Sequence, residues 1–470
     1  MAGNENRFYD DCFIIRPEDA SFFDLCGLLF SSKLGPRSFI DCPRQYYLKF
    51  VRRWIIFLSV LIQKLLHLMR GSLILGRNAI EMSLNLLSWN GGLFGFLFKL
   101  MTGRLVWHDK SSAEFKSMIS FMDSRVELDN KIKPGDSKYK ASIFVMSAKL
   151  SYENEARVKT IITEHWKMKF LKFYQFLNDF EDRITTQAFM MQDTHSNPNL
   201  IVVAFRGTEP LSPYDLRANI DLSWYELKGM GKGKTHSGFM KALGLQRNKG
   251  FPKELQQPTD RRQFAYYTLR RKLREVLQVN REARFILTGH SSGGALAILF
   301  ASVLVLHEEE WLLERLEAVY TFGQPRVGDS KFGEFVDKNL SKFDVKYYRY
   351  VYNNDLVPRV PYDDSIFFFK HFGTCIFFNS RYKGKVLAEE PDKNFYPWIM
   401  TLPKMMDAVW EFIRSFILPY KYGPEYKETL LMRLTRIGGF VISGMSNHMP
   451  QDYVNSTRLG TLPPDQLKRD

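Results

Sequence analysis

The stretch from Arg284 to Leu306 leaves this chain few folds to choose from. Arg284-Phe-Ile-Leu-Thr288 is a short apolar run that suits a buried strand, and Gly294-Ala-Leu-Ala-Ile-Leu-Phe-Ala-Ser-Val-Leu-Val-Leu306 suits a buried helix; only Gly289-His290-Ser291-Ser292-Gly293 lies between them. A chain that passes from strand to helix in so few residues must turn sharply, and Gly289 and Gly293 remove the side chains that would block the turn. The turn exposes the Ser291 hydroxyl beside a helix N-terminus, whose unpaired N–H groups and positive dipole end favour developing negative charge. Ser291 is therefore the candidate nucleophile, and the backbone N–H of Ser292 is a candidate oxyanion donor.

A neutral serine needs a base held in place by an acid, and where a strand leads into such an elbow the acid and then the histidine follow later in the chain. Of nine histidines, only His307, His371 and His448 follow Ser291. His307 ends the helix that leaves the elbow and points away from it. Asp355 directly follows the strand-like run Val345-Lys-Tyr-Tyr-Arg-Tyr-Val-Tyr352, the place where the acid should stand, and Asp363 and Asp364 are alternatives in the same loop. His371 and His448 both remain as candidate bases, because spacing does not choose between them.

Beyond Asp129-Asn-Lys-Ile-Lys-Pro-Gly-Asp-Ser137, where Pro and Gly sit among charges without periodicity, strand-like runs alternate with helical stretches. The runs cover 199–205, 285–288, 316–322 and 345–352, and their alternation with helices predicts an α/β fold with a mainly parallel sheet flanked by helices. We expect two regions: an N-terminal basic and apolar region at 1–135, and a catalytic region at 136–470 carrying an insertion near 380–440.

Phe205-Arg-Gly-Thr208, Thr235-His-Ser-Gly-Phe239, the elbow at Gly289, Thr321-Phe-Gly-Gln-Pro-Arg-Val-Gly328 and Asn354-Asp-Leu-Val-Pro-Arg-Val-Pro361 resemble, in order, the successive motifs of the class 3 lipases. The likeness runs from about residue 141 to 453 and implies an α/β-hydrolase fold and a Ser-His-Asp ester hydrolase. It implies that His448 is the base and His371, in Phe369-Lys-His-Phe-Gly373, is structural. It also implies Thr208 as the second oxyanion donor, and a short lid at Glu209-Pro-Leu-Ser-Pro-Tyr-Asp-Leu-Arg217. Ser292 stands where many members carry leucine, which alters the neighbouring pocket but not the backbone donor. No cofactor and no metal are expected: His307-Glu-Glu-Glu310 lacks the ligand spacing of a zinc helix, and no other His/Cys cluster suggests one.

The chain carries 66 Lys and Arg against 51 Asp and Glu, a net charge of +15, so an anionic partner is expected. The excess lies beside apolar sequence. From residue 26 to 80, Lys33, Arg37, Arg44, Lys49, Arg52, Arg53, Lys64, Arg70 and Arg77 face a single acid, Asp41. Within Trp54 to Met69, the polar Ser59, Gln63, His67 and Arg70 recur at helical spacing as one narrow stripe. That pattern predicts an interfacial helix in a lipid headgroup layer, and Leu93-Phe-Gly-Phe-Leu-Phe-Lys-Leu-Met101 adds a second apolar patch. The apolar runs Phe395-Tyr-Pro-Trp-Ile-Met400 and 405–417 predict an inserted cap that meets acyl chains or the lipid surface.

Four scattered cysteines in a large chain read as reduced thiols, and residues 1–11 do not look like a secretory signal. Gly229-Met-Gly-Lys-Gly-Lys-Thr235 lacks the first glycine of a phosphate-binding loop, and no nucleic-acid module accompanies the basic charge. The expected partners are thus a lipid substrate and a phospholipid monolayer or membrane surface, with no nucleic acid. The basic and apolar extension and the long insertion are similar to the oil-body triacylglycerol lipases of plants, a branch of the class 3 lipases, which implies acylglycerol hydrolysis at a lipid droplet or at the endoplasmic reticulum membrane. A phospholipase A1 or galactolipase of the same family is the neighbouring reading. A non-catalytic lipid-droplet scaffold is the reading from outside enzymes.

Overall fold

The computed structural model describes residues 7–462, apart from 32, 35–36, 44–45, 48, 196–199, 256–262, 364–367, 394–401 and 442–443. Its centre is an eight-stranded sheet: β1 (Lys169–Asn178), β2 (Arg183–Asp193), β3 (Leu200–Phe205), β4 (Arg284–His290), β5 (Leu316–Phe322), β6 (Lys346–Tyr352), β7 (Thr374–Phe378) and β8 (Gly384–Leu387), hydrogen-bonded in chain order. Strands β3 to β7 run parallel, and β1, β2 and β8 join antiparallel at the two edges. The expected strands are all present, most of them a residue or two different at an end.

Alternate residues of each strand enter opposite cores, as the period of two requires. Ile201, Val203, Phe285 and Leu287 face one core, completed by α7 (Ala265–Val279) and α8 (Ser292–Leu306). Val202, Ala204 and Ile286 face the other, closed by α5 (Tyr139–Leu150) and α12 (Pro450–Leu459). Helix α8 is apolar on every side because sheet and helices surround it, and its residues from Gly293 to Val305 are all buried.

The N-terminal region is stitched into the rest. Strand Tyr9–Ile15 pairs antiparallel with Trp224–Leu227 in a second sheet, and α1 (Phe22–Phe30) is capped by a reciprocal Ser21–Asp24 box. Helices α2 (Phe50–Leu68), α3 (Arg70–Trp89) and α4 (Gly92–Met101) follow. Among the described residues no single helix is long and apolar enough to cross a membrane, although α2 and α3, bent by 66°, pass by length and composition as a pair.

Helix α2 carries the expected stripe, and the structure shows what the stripe meets. Ser59 and Gln63 of the polar stripe are buried against the catalytic region, while Val51, Trp54, Leu61, Ile62, Leu65 and Leu68 stand exposed. The Ser59 hydroxyl donates to the Ile220 carbonyl at 2.7 Å, and Arg217 donates to the His67 Nδ1 at 3.3 Å. Ser59 and Gln63, with Ile56 and Val60, therefore face protein, and most of the remaining apolar side of the helix is the outer one.

After α9 (Ser330–Ser341), the segment expected as an insertion forms α10 (Leu402–Tyr422) and α11 (Leu430–Gly438), and Phe395 to Met400 lie outside the described residues. These helices are also apolar outward: Met406, Val409, Ile413, Ile417 and Leu434 are exposed, whereas Glu411, Arg414 and Arg436 are buried.

Candidate functional site

Ser291 has φ 58° and ψ −132°, a strained conformation forced by the passage from β4 into α8. The glycines around it are required by space. A Cβ on Gly289 would lie 2.2 Å from the Gly293 carbonyl carbon, and one on Gly293 would lie 2.4 Å from the Phe205 oxygen. The Ser291 N–H donates to the Phe322 carbonyl at 2.8 Å, which fixes the elbow to the end of β5.

Asp355 is fully buried in the loop after β6 and is held entirely by donors. The Val357 N–H donates to Oδ1 at 2.9 Å, and the Tyr453 hydroxyl donates to Oδ2. His448, in a short turn before α12, donates from Nδ1 to Asp355 Oδ2 at 2.8 Å, with Oδ1 at 3.1 Å. A carboxylate oxygen only accepts, so the proton sits on Nδ1 and the Nε2 lone pair faces Ser291 Oγ, 2.8 Å away. The structure thus brings Ser291, His448 and Asp355 into one relay.

The alternatives lie elsewhere. His371 is buried, with Nε2 donating to the Pro358 carbonyl at 2.7 Å, and burial followed by nearby Arg349 holds its pKa well below 6.5. His307 lies between the Tyr266 hydroxyl and the Phe251 carbonyl. Asp363 pairs with Lys393 at 2.8 Å, and Asp364 lies outside the described residues.

At the candidate oxyanion site, the Thr208 hydroxyl lies 2.9 Å from the Ser292 hydroxyl and accepts from Asn219 Nδ2 at 2.7 Å. Ser292 opens α8, so its N–H belongs to the first-turn donors that have no partner within the helix. Asn219 belongs to α6 (Pro213–Ile220), which begins four residues and ends three residues after the segment expected as a lid and rests on α2. Burial tends to raise the Glu209 carboxyl at the lid entrance, but Arg206 and Arg77 outweigh it and hold the pKa below the ordinary value.

Sequence reasoning missed the supports of this geometry, among them Tyr453 on Asp355 and a pair behind the histidine. His290 is buried, with Nε2 donating to the His448 backbone carbonyl at 2.8 Å and Nδ1 accepting from the Tyr152 hydroxyl at 2.9 Å. Burial, then His448, pushes its pKa well below 6.5, so it stays neutral and keeps both roles. No sequence signal links Tyr152 to His290; the contact exists only once α5 packs on the sheet.

Helix α6 carries a titratable strain. Burial pushes Asp215 up from 3.8 to about 6, while its Oδ2 accepts the Glu209 N–H at 2.9 Å. A carboxyl whose folded pKa is raised costs nothing below its unfolded pKa, and costs progressively more as pH rises toward the folded value. Asp215→Asn should therefore stabilise the fold by about 1–3 kcal/mol above about pH 6, read as a higher melting temperature, and leave the melting temperature nearly unchanged near pH 3. An equal shift at both pH values would refute this origin.

A mainly parallel sheet with helices on both faces and a strained Ser291 at the β4–α8 turn defines an α/β-hydrolase. The model of the class 3 lipase family matches residues 202–365, a stretch that contains Ser291 and Asp355 and ends before His448. A triacylglycerol lipase OBL1 of Nicotiana tabacum is 37% identical over 486 residues, covering 88% of this chain and 85% of that protein. The triacylglycerol lipase OBL1 of Ricinus communis is 36% identical over 505 residues, covering 95% and 94%. Among solved structures, lipase II from Rhizopus niveus matches at 22% identity with a TM-score of 0.36, covering 51% of this chain and 78% of that one. The chain belongs to the class 3 lipase family and is a carboxylic ester hydrolase.

Proposed function

We propose that this protein is a serine lipase that hydrolyses acylglycerol esters, triacylglycerol above all, at the surface of a lipid droplet. The observation that carries the chemistry is the relay from Asp355 through His448 to Ser291, with both links at 2.8 Å. Ser291 Oγ attacks the ester carbonyl while His448 Nε2 takes its proton. The oxyanion is met by the Ser292 N–H and by Thr208. His448 then returns the proton to the departing alcohol, leaving an acyl-enzyme. Water, deprotonated by the same imidazole, releases the fatty acid.

The choice of substrate rests on two supports. Relatives matched over most of this chain are named triacylglycerol lipases. The outward faces of α2, α4 and α10 are apolar, with basic residues nearby, which suits a phospholipid monolayer over a neutral lipid core. The same faces would serve the endoplasmic reticulum membrane, where such droplets could be met at their origin.

A purified-enzyme comparison of triolein emulsion, phosphatidylcholine and galactolipid tests the reading, with Ser291→Ala as the blank. Triolein should be turned over fastest. Preference for either polar lipid would overturn the triacylglycerol assignment in favour of a phospholipase A1 or galactolipase.

A further inference from the structure

Helix α10 presents its polar residues inward at helical spacing: Asp407, Glu411, Arg414 and Ser415. Two of them grip the loops that bear the relay. Glu411 is nearly fully buried, and Oε1 accepts from Asn353 Nδ2 at 3.0 Å and from the Tyr352 hydroxyl at 2.9 Å. Both of its oxygens also accept from Asn447 Nδ2 at 2.7 Å. Asp407, one turn earlier, accepts from Asn354 Nδ2 at 3.3 Å.

Asn353 and Asn354 precede Asp355, and Asn447 precedes His448. One carboxylate therefore ties the acid's loop to the base's loop, across 93 residues of chain. The loops also touch directly: a Cβ on Gly444 would lie 2.1 Å from the Asn354 oxygen, so the backbones meet there with no room for a side chain. On its far side Glu411 lies 3.5 Å from the Arg436 guanidinium, with Arg414 and Asp452 completing the charge cluster. The carboxylate is thus fixed from α11 as well as from α10, while Asp452 of α12 holds the two arginines.

We propose that Glu411 is a positioning residue that sets the separation between the His448 imidazole and the Asp355 carboxylate, acting through Asn447 and Asn353. It touches neither substrate nor the reacting atoms. Its effect follows from geometry: a relay whose links are 2.8 Å long loses alignment when one loop drifts by a fraction of an ångström, and small misplacements of this kind are costly to turnover. The proposal rests on the triad reading, and it places the inserted cap in the catalytic geometry as well as at the lipid surface.

Glu411→Gln keeps the side chain's shape but turns one acceptor into an N–H group that faces the Asn447 amide. On a soluble ester, p-nitrophenyl butyrate, kcat should fall about 10- to 100-fold with KM within about twofold. Asn447→Ala should give the same split, and the double variant should lose no more than the worse single one. The low-field proton resonance of His448 Nδ1–H should shift or broaden in each.

Unchanged kcat in folded Glu411→Gln would overturn the proposal, as would losses that multiply in the double variant. If Glu411→Gln fails to fold, Asn447→Ala carries the test alone: unchanged kcat refutes, and a fall with a shifted Nδ1–H resonance supports. The triad reading fails separately, through an active Ser291→Ala.

Discussion

Replacing Ser291 by alanine should lower ester hydrolysis by a factor on the order of 10⁴ to 10⁶, on soluble and emulsified substrates alike. The hydroxyl is the only part of the elbow that leaves, so the fold should survive: Ser291 is held by its backbone N–H to Phe322, not by its side chain. His448→Ala should cost a comparable factor, and the double variant little more, because residues of one relay act as a unit. Asp355→Asn should cost about 10⁴-fold, since the amide favours the wrong imidazole tautomer. His371→Ala is the discriminating control. It removes a buried donor to the Pro358 carbonyl, so it should cost about 1–3 kcal/mol of stability while the folded fraction keeps its turnover. Loss of turnover in His371→Ala together with an active His448→Ala would reverse the assignment of the base, and a background rate in the unaltered protein that Ser291→Ala leaves unchanged would return the scaffold reading.

The parts of this site that were legible in the sequence are those fixed by local chain geometry. Strand, glycine, serine, glycine and helix follow one another within 23 residues, and Asp355 stands at a strand end, so both could be read directly. His448 could not be read from spacing, because α10 and α11 lie between it and Asp355, and family likeness pointed to it instead. The supports at Tyr152, His290, Tyr453 and Glu411 were not legible at all. Each joins residues distant in sequence, and periodicity carries no information about such partners. Helix α2 shows the limit most clearly. Its polar stripe was read correctly as a stripe, but a period tells which residues share a face and not what that face meets. Ser59 finds Ile220, 161 residues away, and this contact sets which side of the helix meets protein.

That placement leads to the second large effect. A helix whose polar side is taken up by protein must present its apolar side to something else. Helix α4 carries the same logic further, with no buried residue, Phe94 87% exposed and Met101 88% exposed. Leaving such side chains in water forfeits about 1.5–3 kcal/mol each relative to burial, so three inserted together would hold the protein at a lipid surface by roughly 5–9 kcal/mol. Partial insertion reduces this, and Phe94→Glu, Phe98→Glu and Met101→Glu combined should lower partitioning onto triolein droplets coated with phosphatidylcholine by about 10²- to 10⁴-fold. None of the three touches the relay, so turnover of p-nitrophenyl butyrate should stay at its original value while turnover of emulsified triolein collapses. Equal losses on both substrates would mean that the variant is misfolded, and melting curves would show it; Trp54→Glu, on the outward face of α2, then repeats the test at a separate site. Retained droplet binding by folded variants at both sites would exclude the N-terminal helices as the anchor and leave α10 and α11 to carry it. The ratio of the two turnover rates is therefore the decisive number, because only a surface-docking role separates them.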